Sequence, residues 1–248
     1  MKVDAALTNR FDQKDLDVEV RGSIAAVIDV IRATSSIAAL FAGGAGSVTI
    51  AATLEEAYRL KKKEPGKLLC GEVSGLPPEG FDYGNSPLEF SRLKLGGRKA
   101  ILKTTNGTAS FLRARESQAV YSLSALNFSA VLKKILEEAE KTGKDILFIC
   151  SGELGRLAYD DAYIAGLAVK YIMENSPEPP GLSDSARLIL SAVKGDRDIE
   201  RALEASTSAR SLKAVGLGDD IPFCARLDEY DVAPEAFVRD NMTRILSG

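Results

Sequence analysis

Histidine and tryptophan are absent from the 248 residues, and cysteine and methionine occur three times each. The first absence excludes histidine phosphatases, Ser-His-Asp hydrolases, papain-like proteases and His-ligated zinc. Acid–base or metal chemistry must therefore run on carboxylates, thiols or lysine, with hydroxyls and amides in support. Three cysteines, an odd number in a long chain, point to reduced thiols and a cytoplasmic protein. No run approaches the ~20 apolar residues of a membrane span. The opening MKVDAALTNRFDQ has no apolar centre, so no signal peptide is expected. Net charge is −3, and basic residues are scattered apart from Lys61-Lys62-Lys63, a solvated helix end. Nothing here suggests a nucleic-acid surface.

What is present reads as one soluble domain, residues 1 to 248, long enough to bury a core unaided. Short β-branched runs alternate with helical patterns. Strands are expected at 24–30, 47–51, 67–73, 99–103, 119–123 and 145–150. Ile24 to Val30 is continuous rather than alternating, as in a strand covered on both faces. Helices are expected at 34–42, from Thr53-Leu-Glu-Glu56, from Ser86-Pro87, and at 106–114, 129–141 and 159–173. The alternation implies a three-layer α/β/α sandwich with a mostly parallel, mixed sheet. NSPEPPGLSD at 175–184 is linker-like. Beyond it come helical additions at 184–194, 196–205 and 208–215 and a last strand near Phe223 to Arg226. No internal repeat is visible.

Ligands of open α/β sheets bind beyond the carboxyl ends of the strands. Four such exits are polar: Asp29 to Ser36; Cys70-Gly71-Glu72 running on to Gly80–Pro87; Thr104 to Thr108; and Cys150-Ser151-Gly152-Glu153 with Asp160-Asp161 after it. Each has a bland reading. Thr34, Ser35 and Ser36 can cap a helix, as can Ser86, Asn106-Gly107 is a turn pair, and Asp160-Asp161 can be a solvated helix start. Asp29 resists one, because it breaks an apolar strand, and a buried carboxylate needs a partner or a metal. Together the exits offer glycine amides, hydroxyls and Arg32 for an anion. Asp29, Glu72 and Asp160 or Asp161 are oxygen ligands suited to Mg²⁺. The sum points to phosphoryl chemistry.

FICSGELGR, at 148–156, sets Cys150 and Arg156 at the Cys-x5-Arg spacing of thiol phosphatases. Glu153 argues against that reading, because it would repel a phosphate dianion inside the loop. A non-catalytic binder of phosphorylated metabolites is a third reading.

The motifs VIDVIRATSSI, GEVSGLPPEGFDYGNSP, KTTNGT and CSGELGRLAYDDAYIAG, in this order, resemble the 2-phosphosulfolactate phosphatase family. The resemblance runs from about residue 24 to 168 and extends toward Gly218-Asp219-Asp220. It implies an α/β/α fold, Mg²⁺ dependence, and hydrolysis of 2-phospho-3-sulfolactate to 3-sulfolactate and phosphate in coenzyme M biosynthesis. It favours Asp29, Arg32, Glu72, Asn85, Thr104, Thr105, Asn106, Gly152 and Asp161 as site residues. Two departures stand out: Thr34-Ser35-Ser36 where Thr-Thr is expected, and Asp160-Asp161 where Glu-Asp is expected. The resulting expectation assigns catalysis to Asp29, Arg32 and Asp161. It assigns substrate binding to Thr34, Ser35, Asn85, Thr104, Thr105, Asn106, Ser151 and Gly152, and metal to Asp29, Glu72, Asp160 and Asp161. A small anionic phosphate ester is the expected partner, and a homodimer is the generic expectation for such an enzyme.

Overall fold

The chain is described by a computed structural model covering residues 1–195, 198–239 and 242–248. Ten strands of the described residues join in one sheet, and six of their nine pairings are parallel. The mixed, mostly parallel α/β sandwich expected from the alternation is therefore present.

The strands are β1 (Lys2–Ala6), β2 (Ile24–Ile28), β3 (Ser47–Ala51), β4 (Leu68–Gly71), β5 (Lys99–Lys103), β6 (Ala119–Leu123), β7 (Ile146–Cys150), β8 (Gly181–Leu182), β9 (Glu235–Arg239) and β10 (Met242–Leu246). Their order across the sheet is β4-β5-β3-β10-β9-β6-β2-β7-β1-β8. Between them run α1 (Ala33–Ala42), α2 (Leu54–Lys63), α3 (Pro87–Phe90), α4 (Gly107–Arg113), α5 (Phe128–Thr142) and α6 (Tyr159–Asn175). Four more helices follow: α7 (Asp184–Ala192), α8 (Ile199–Glu204), α9 (Thr207–Ala214) and α10 (Asp220–Cys224).

Three expectations need correction. Phe223 to Arg226 is not the last strand; Phe223 and Cys224 belong to α10, which Asp220 opens. The missing strands are β9 and β10, an antiparallel pair at the centre of the sheet, β1, whose pairing with β7 puts it near one edge, and β8, which lies within the linker-like segment and forms that edge beside β1. The helix expected at 196–205 begins at Ile199; residues 196 and 197 lie outside the described residues.

The third correction concerns repetition. Residues 24–90 run β2-α1-β3-α2-β4-α3, and residues 99–175 run β5-α4-β6-α5-β7-α6. Exchanging β2 with β5, β3 with β6, β4 with β7 and β9 with β10 reverses the order from β4 to β7 onto itself. The chain is thus an internal duplication about a local twofold between β9 and β10. Side-chain facing agrees: Ala25 and Val27 of β2 and Ala100 and Leu102 of β5 all point into one core cluster. Both third strands lead into tight hairpins. Val73 pairs with Leu76 around Ser74-Gly75, and Glu153 pairs with Arg156 around Leu154-Gly155, every turn residue having positive φ.

The antiparallel β9–β10 pair makes the two parallel halves run in opposite directions. In a flat sheet their carboxyl ends would lie at opposite edges. Strand twist of about 20–25° per step, over the five steps from β5 to β2, turns one half on the order of 100° relative to the other. The sheet curls around α1 and α4, whose Ile37, Leu40 and Phe111 fill the shared inner core. Helices α5, α6 and α7 cover the outer face of one half and α2 that of the other, which completes the layers. Both sets of carboxyl ends then open onto the same cavity.

Candidate active site

That cavity has a volume of about 320 Å³. Asp29, Ile31 and Arg32 line it from the β2 exit, and Glu72, Ser74, Gly75 and Asn85 from the β4 exit. The second repeat contributes Thr104, Thr105 and Asn106 after β5, Gly152, Glu153 and Leu154 after β7, and Asp161 on α6. Ser208, Ser211 and Leu212 of α9 close one side. The exits read as polar in the sequence therefore do meet.

Asp29 follows β2 and precedes α1, and its Oδ1 accepts from the first N–H of that helix, Ala33 N, at 3.1 Å. Burial, reinforced by Glu72 nearby, pushes its carboxyl up to about 6, although the Ala33 N–H and Arg32 pull the other way. Oδ2 takes no part in that hydrogen bond. A Cβ on Gly107 would stand 3.2 Å from Asp29 Oδ2 and 3.0 Å from Thr104 Oγ1. Glycine at this helix start thus lets the carboxylate and the hydroxyl approach one another. Thr104 Oγ1 and Asn85 Oδ1 are buried without a hydrogen-bond partner.

Arg32 is held in place by a buried ion pair, Nη1 to Asp220 Oδ2 at 2.7 Å, and donates from Nη2 to Gly75 O at 2.9 Å. Ser86 Oγ donates to Asp220 Oδ1 at 2.5 Å while capping α3. The remaining guanidinium N–H groups are available to an anion in the cavity. The Ile31–Arg32 peptide is cis.

Glu72 accepts from Thr105 N and Oγ1 and from Gly75 N. Asp161 accepts from Val30 N and Gly152 N. Burial, with Asp160 and Asp29 beside it, raises the Asp161 carboxyl well above the usual range.

Four of the expected residues do not reach the cavity. Thr34 and Ser35 are fully buried in α1, and their hydroxyls donate to Asp29 O and Val30 O. Ser151 is buried against Ser110, with the hydroxyls 2.7 Å apart. Asp160 lies behind Ser208, which donates to its Oδ1, and burial pushes its carboxyl up to about 7. In each case the side chain points into packing on the far side of its helix or strand end. Conversely, Ser74, Ser208, Ser211 and Asp220 were not anticipated as site residues. The α9 serines carry no local signal, because tertiary packing alone brings that helix over the cavity.

The thiol reading fails on geometry. Cys150 is fully buried and absent from the cavity wall, and burial beside Asp161 and Asp160 raises its thiol well above its ordinary value. A nucleophilic cysteine needs the opposite shift. Arg156 is exposed on the far limb of a hairpin and does not line the cavity either.

The cavity wall holds four carboxylates, Asp29, Glu72, Glu153 and Asp161, against one guanidinium already paired with Asp220. Such a wall repels a polyanion unless a cation joins it. Among the described residues, no three His, Cys, Asp or Glu side chains form a ready-made metal cage. Mg²⁺ does not need one: it takes one or two protein carboxylates, keeps waters, and shares substrate oxygens. Asp29 Oδ2 and the unpartnered Asn85 Oδ1 fit that role. No helix among the described residues is long and apolar enough to cross a membrane.

Comparison with known proteins agrees with the geometry. A family model described as 2-phosphosulpholactate phosphatase matches residues 10–237. A probable 2-phosphosulfolactate phosphatase of Thermotoga petrophila is 38% identical over 220 residues, 88% of this chain and 89% of that protein. The probable 2-phosphosulfolactate phosphatase of Deinococcus radiodurans is 34% identical over 88% of this chain and 90% of its own length. The protein of that name from Clostridium perfringens strain 13 is 32% identical over 95% and 93%.

Proposed function

The chain belongs to the 2-phosphosulfolactate phosphatase family, and we propose that it hydrolyses 2-phospho-3-sulfolactate to 3-sulfolactate and phosphate with Mg²⁺ in this cavity. The supporting observation is the pairing of a buried carboxylate, Asp29, with anion-binding groups on all sides of one pocket. The reaction would place the protein in coenzyme M biosynthesis.

The substrate carries phosphate, sulfonate and carboxylate on a three-carbon frame. Arg32 offers its free N–H groups to one oxyanion. The hydroxyl of Thr104 and the amide of Asn106 face another from across the cavity. Helix α1 starts beside Asp29, so its N-terminal dipole also favours anionic charge there. When bound, Mg²⁺ supplies neutralisation of the phosphate oxygens and of the carboxylate wall. Asp29 is the residue in position to hold it, with Asn85. Catalysis of this kind is mainly positioning and charge stabilisation, and the rigid bonding of Arg32 serves that end.

Rates of phosphate release from phosphosulfolactate, phospholactate and phosphoglycolate test the assignment. The sulfonate ester is expected to give the highest kcat/KM. Comparable values for all three would show that the cavity does not recognise a sulfonate.

A further inference from the structure

Two of the cavity carboxylates, from different places in their repeats, make the same pattern of bonds across the duplication. Glu72 follows β4, and its Oε1 accepts from Thr105 N and Thr105 Oγ1, each at 2.7 Å. Its Oε2 accepts from Gly75 N at 2.8 Å. Asp161 lies in the first turn of α6, and its Oδ1 accepts from Val30 N at 2.8 Å while Oδ2 accepts from Gly152 N at 2.9 Å.

The partners correspond. Thr105 lies three residues past Leu102, the last inward-facing apolar residue of β5, and Val30 lies three past Val27, its counterpart on β2. Each carboxylate thus uses one oxygen to hold the equivalent backbone N–H at the other repeat's strand exit. It uses the second to hold an N–H in the loop that follows its own repeat's third strand. The two anchored N–H groups sit between the ligand-facing side chains: Val30 between Asp29 and Arg32, Thr105 between Thr104 and Asn106.

We infer that Glu72 and Asp161 are a matched pair of positioning residues that lock the two halves of the cavity in register, and that Asp29 alone of the three carboxylates meets the cation and the phosphate. This rests on reading the cavity as the phosphatase site. Both side chains are buried, and every carboxylate oxygen already accepts a backbone N–H. A buried N–H that loses its acceptor carries the full cost of desolvation, so losing one of these bonds frees the loop it anchors. Asp29 differs, since its Oδ1 accepts from Ala33 N while its Oδ2 lies beside Gly107, where the unpartnered Thr104 Oγ1 also stands.

The test compares Glu72→Gln, Asp161→Asn and Asp29→Asn in the full chain. In each carboxamide one acceptor oxygen is replaced by an NH₂ that repels the N–H it faces. Amide hydrogen exchange, measured without metal or substrate, should rise on the order of tenfold at Gly75 and Thr105 in Glu72→Gln, and at Val30 and Gly152 in Asp161→Asn. Neither variant should loosen the other's loops, and Asp29→Asn should loosen none of the four. Calorimetric titration with Mn²⁺ should give a Kd close to wild type for Glu72→Gln and Asp161→Asn, and no binding for Asp29→Asn. The KM for phosphosulfolactate should rise more than kcat falls in the two clamp variants. Loss of Mn²⁺ binding in all three variants with local exchange unchanged would make Glu72 and Asp161 ligands and overturn the inference. A rise in exchange throughout the chain would overturn it as well, by showing support of the whole fold. If wild type takes up no Mn²⁺, the cation reading falls, and the exchange pattern still upholds or overturns the clamps.

Discussion

Two residues past Val27 the chain places Asp29; two residues past Leu102, at the equivalent point of the second repeat, it places Thr104. Both approach Gly107 at the start of α4. Past them the repeats diverge again: Arg32, paired with Asp220, stands in the first, and Asn106, with no charge, in the second. The backbone paths are alike and the chemistry is not. A buried carboxylate at one arm calls for a compensating charge, and burial with Glu72 nearby drives its carboxyl up, whereas a hydroxyl at the other can only donate or accept a hydrogen bond. The two arms share one backbone plan around the cavity and differ in the groups they present to it, a carboxylate on one and a hydroxyl on the other.

Asp29→Asn should lower kcat on the order of 10³-fold, whereas Thr104→Ala should act mainly on KM, with a loss of about tenfold. Steady-state phosphate release distinguishes them, and equal effects would mean that the arms do not divide the work.

Stability separates the two arms as well. Asp220→Ala leaves the Arg32 guanidinium buried without its counter-ion, which should destabilise the chain by about 3–5 kcal/mol in denaturant titration. Among the described residues no equivalent ion pair supports the second arm, so Asn106→Ala should have a much smaller effect.

Asp29→Asn should move stability in the other direction. The Asp29 carboxyl is raised from 3.8 to about 6, so its protonated form suits the fold better. That contribution is full below pH 4 and is lost as pH rises through about 6. The asparagine variant escapes the loss, and in cation-free buffer at pH 8 it should be more stable than wild type by about 3 kcal/mol, a gain that disappears near pH 4. Thr104→Ala should show no such pH-dependent gain.

The smallest effect belongs to Cys150→Ser, which should change kcat by no more than about threefold, because the thiol is buried away from the cavity.

Much of the first and second repeats was legible because their strands are continuous apolar runs and their helices carry caps. Thr53 and Ser86 accept the expected N–H groups of Glu56 and Glu89. The strands at the two ends of the chain were not. β1 is KVDAA, whose Asp4 is tolerated in the sheet because five hydrogen bonds from Ala5 N, Asp17 N, Val18 N and the Ser183 and Ser185 hydroxyls hold it. The central strand β10 alternates exposed and buried residues over only five positions, too short a signal to outweigh its charge. FCAR at 223–226 reads as apolar and strand-like, yet the turn set by Asp219 and Asp220 winds it into a helix end. The duplication was hidden because GEVSGL and GELGRL, at 71–76 and 152–157, look alike in the sequence only one residue out of register with the hairpin turns at 74–75 and 154–155. At the site, residue type predicted which loops converge. It did not say which hydroxyls face inward, and Thr34, Ser35 and Ser151 all turned into packing instead. That depends on helix phase set by tertiary contacts.

The most direct test is phosphate release from 2-phospho-3-sulfolactate by wild type and Asp29→Asn, each after exhaustive chelation and again after stepwise return of Mg²⁺. The account predicts that chelated wild type is inactive and recovers with Mg²⁺, while Asp29→Asn stays inactive at every concentration. Full activity of the chelated wild type, or recovery of the variant with Mg²⁺, would contradict it.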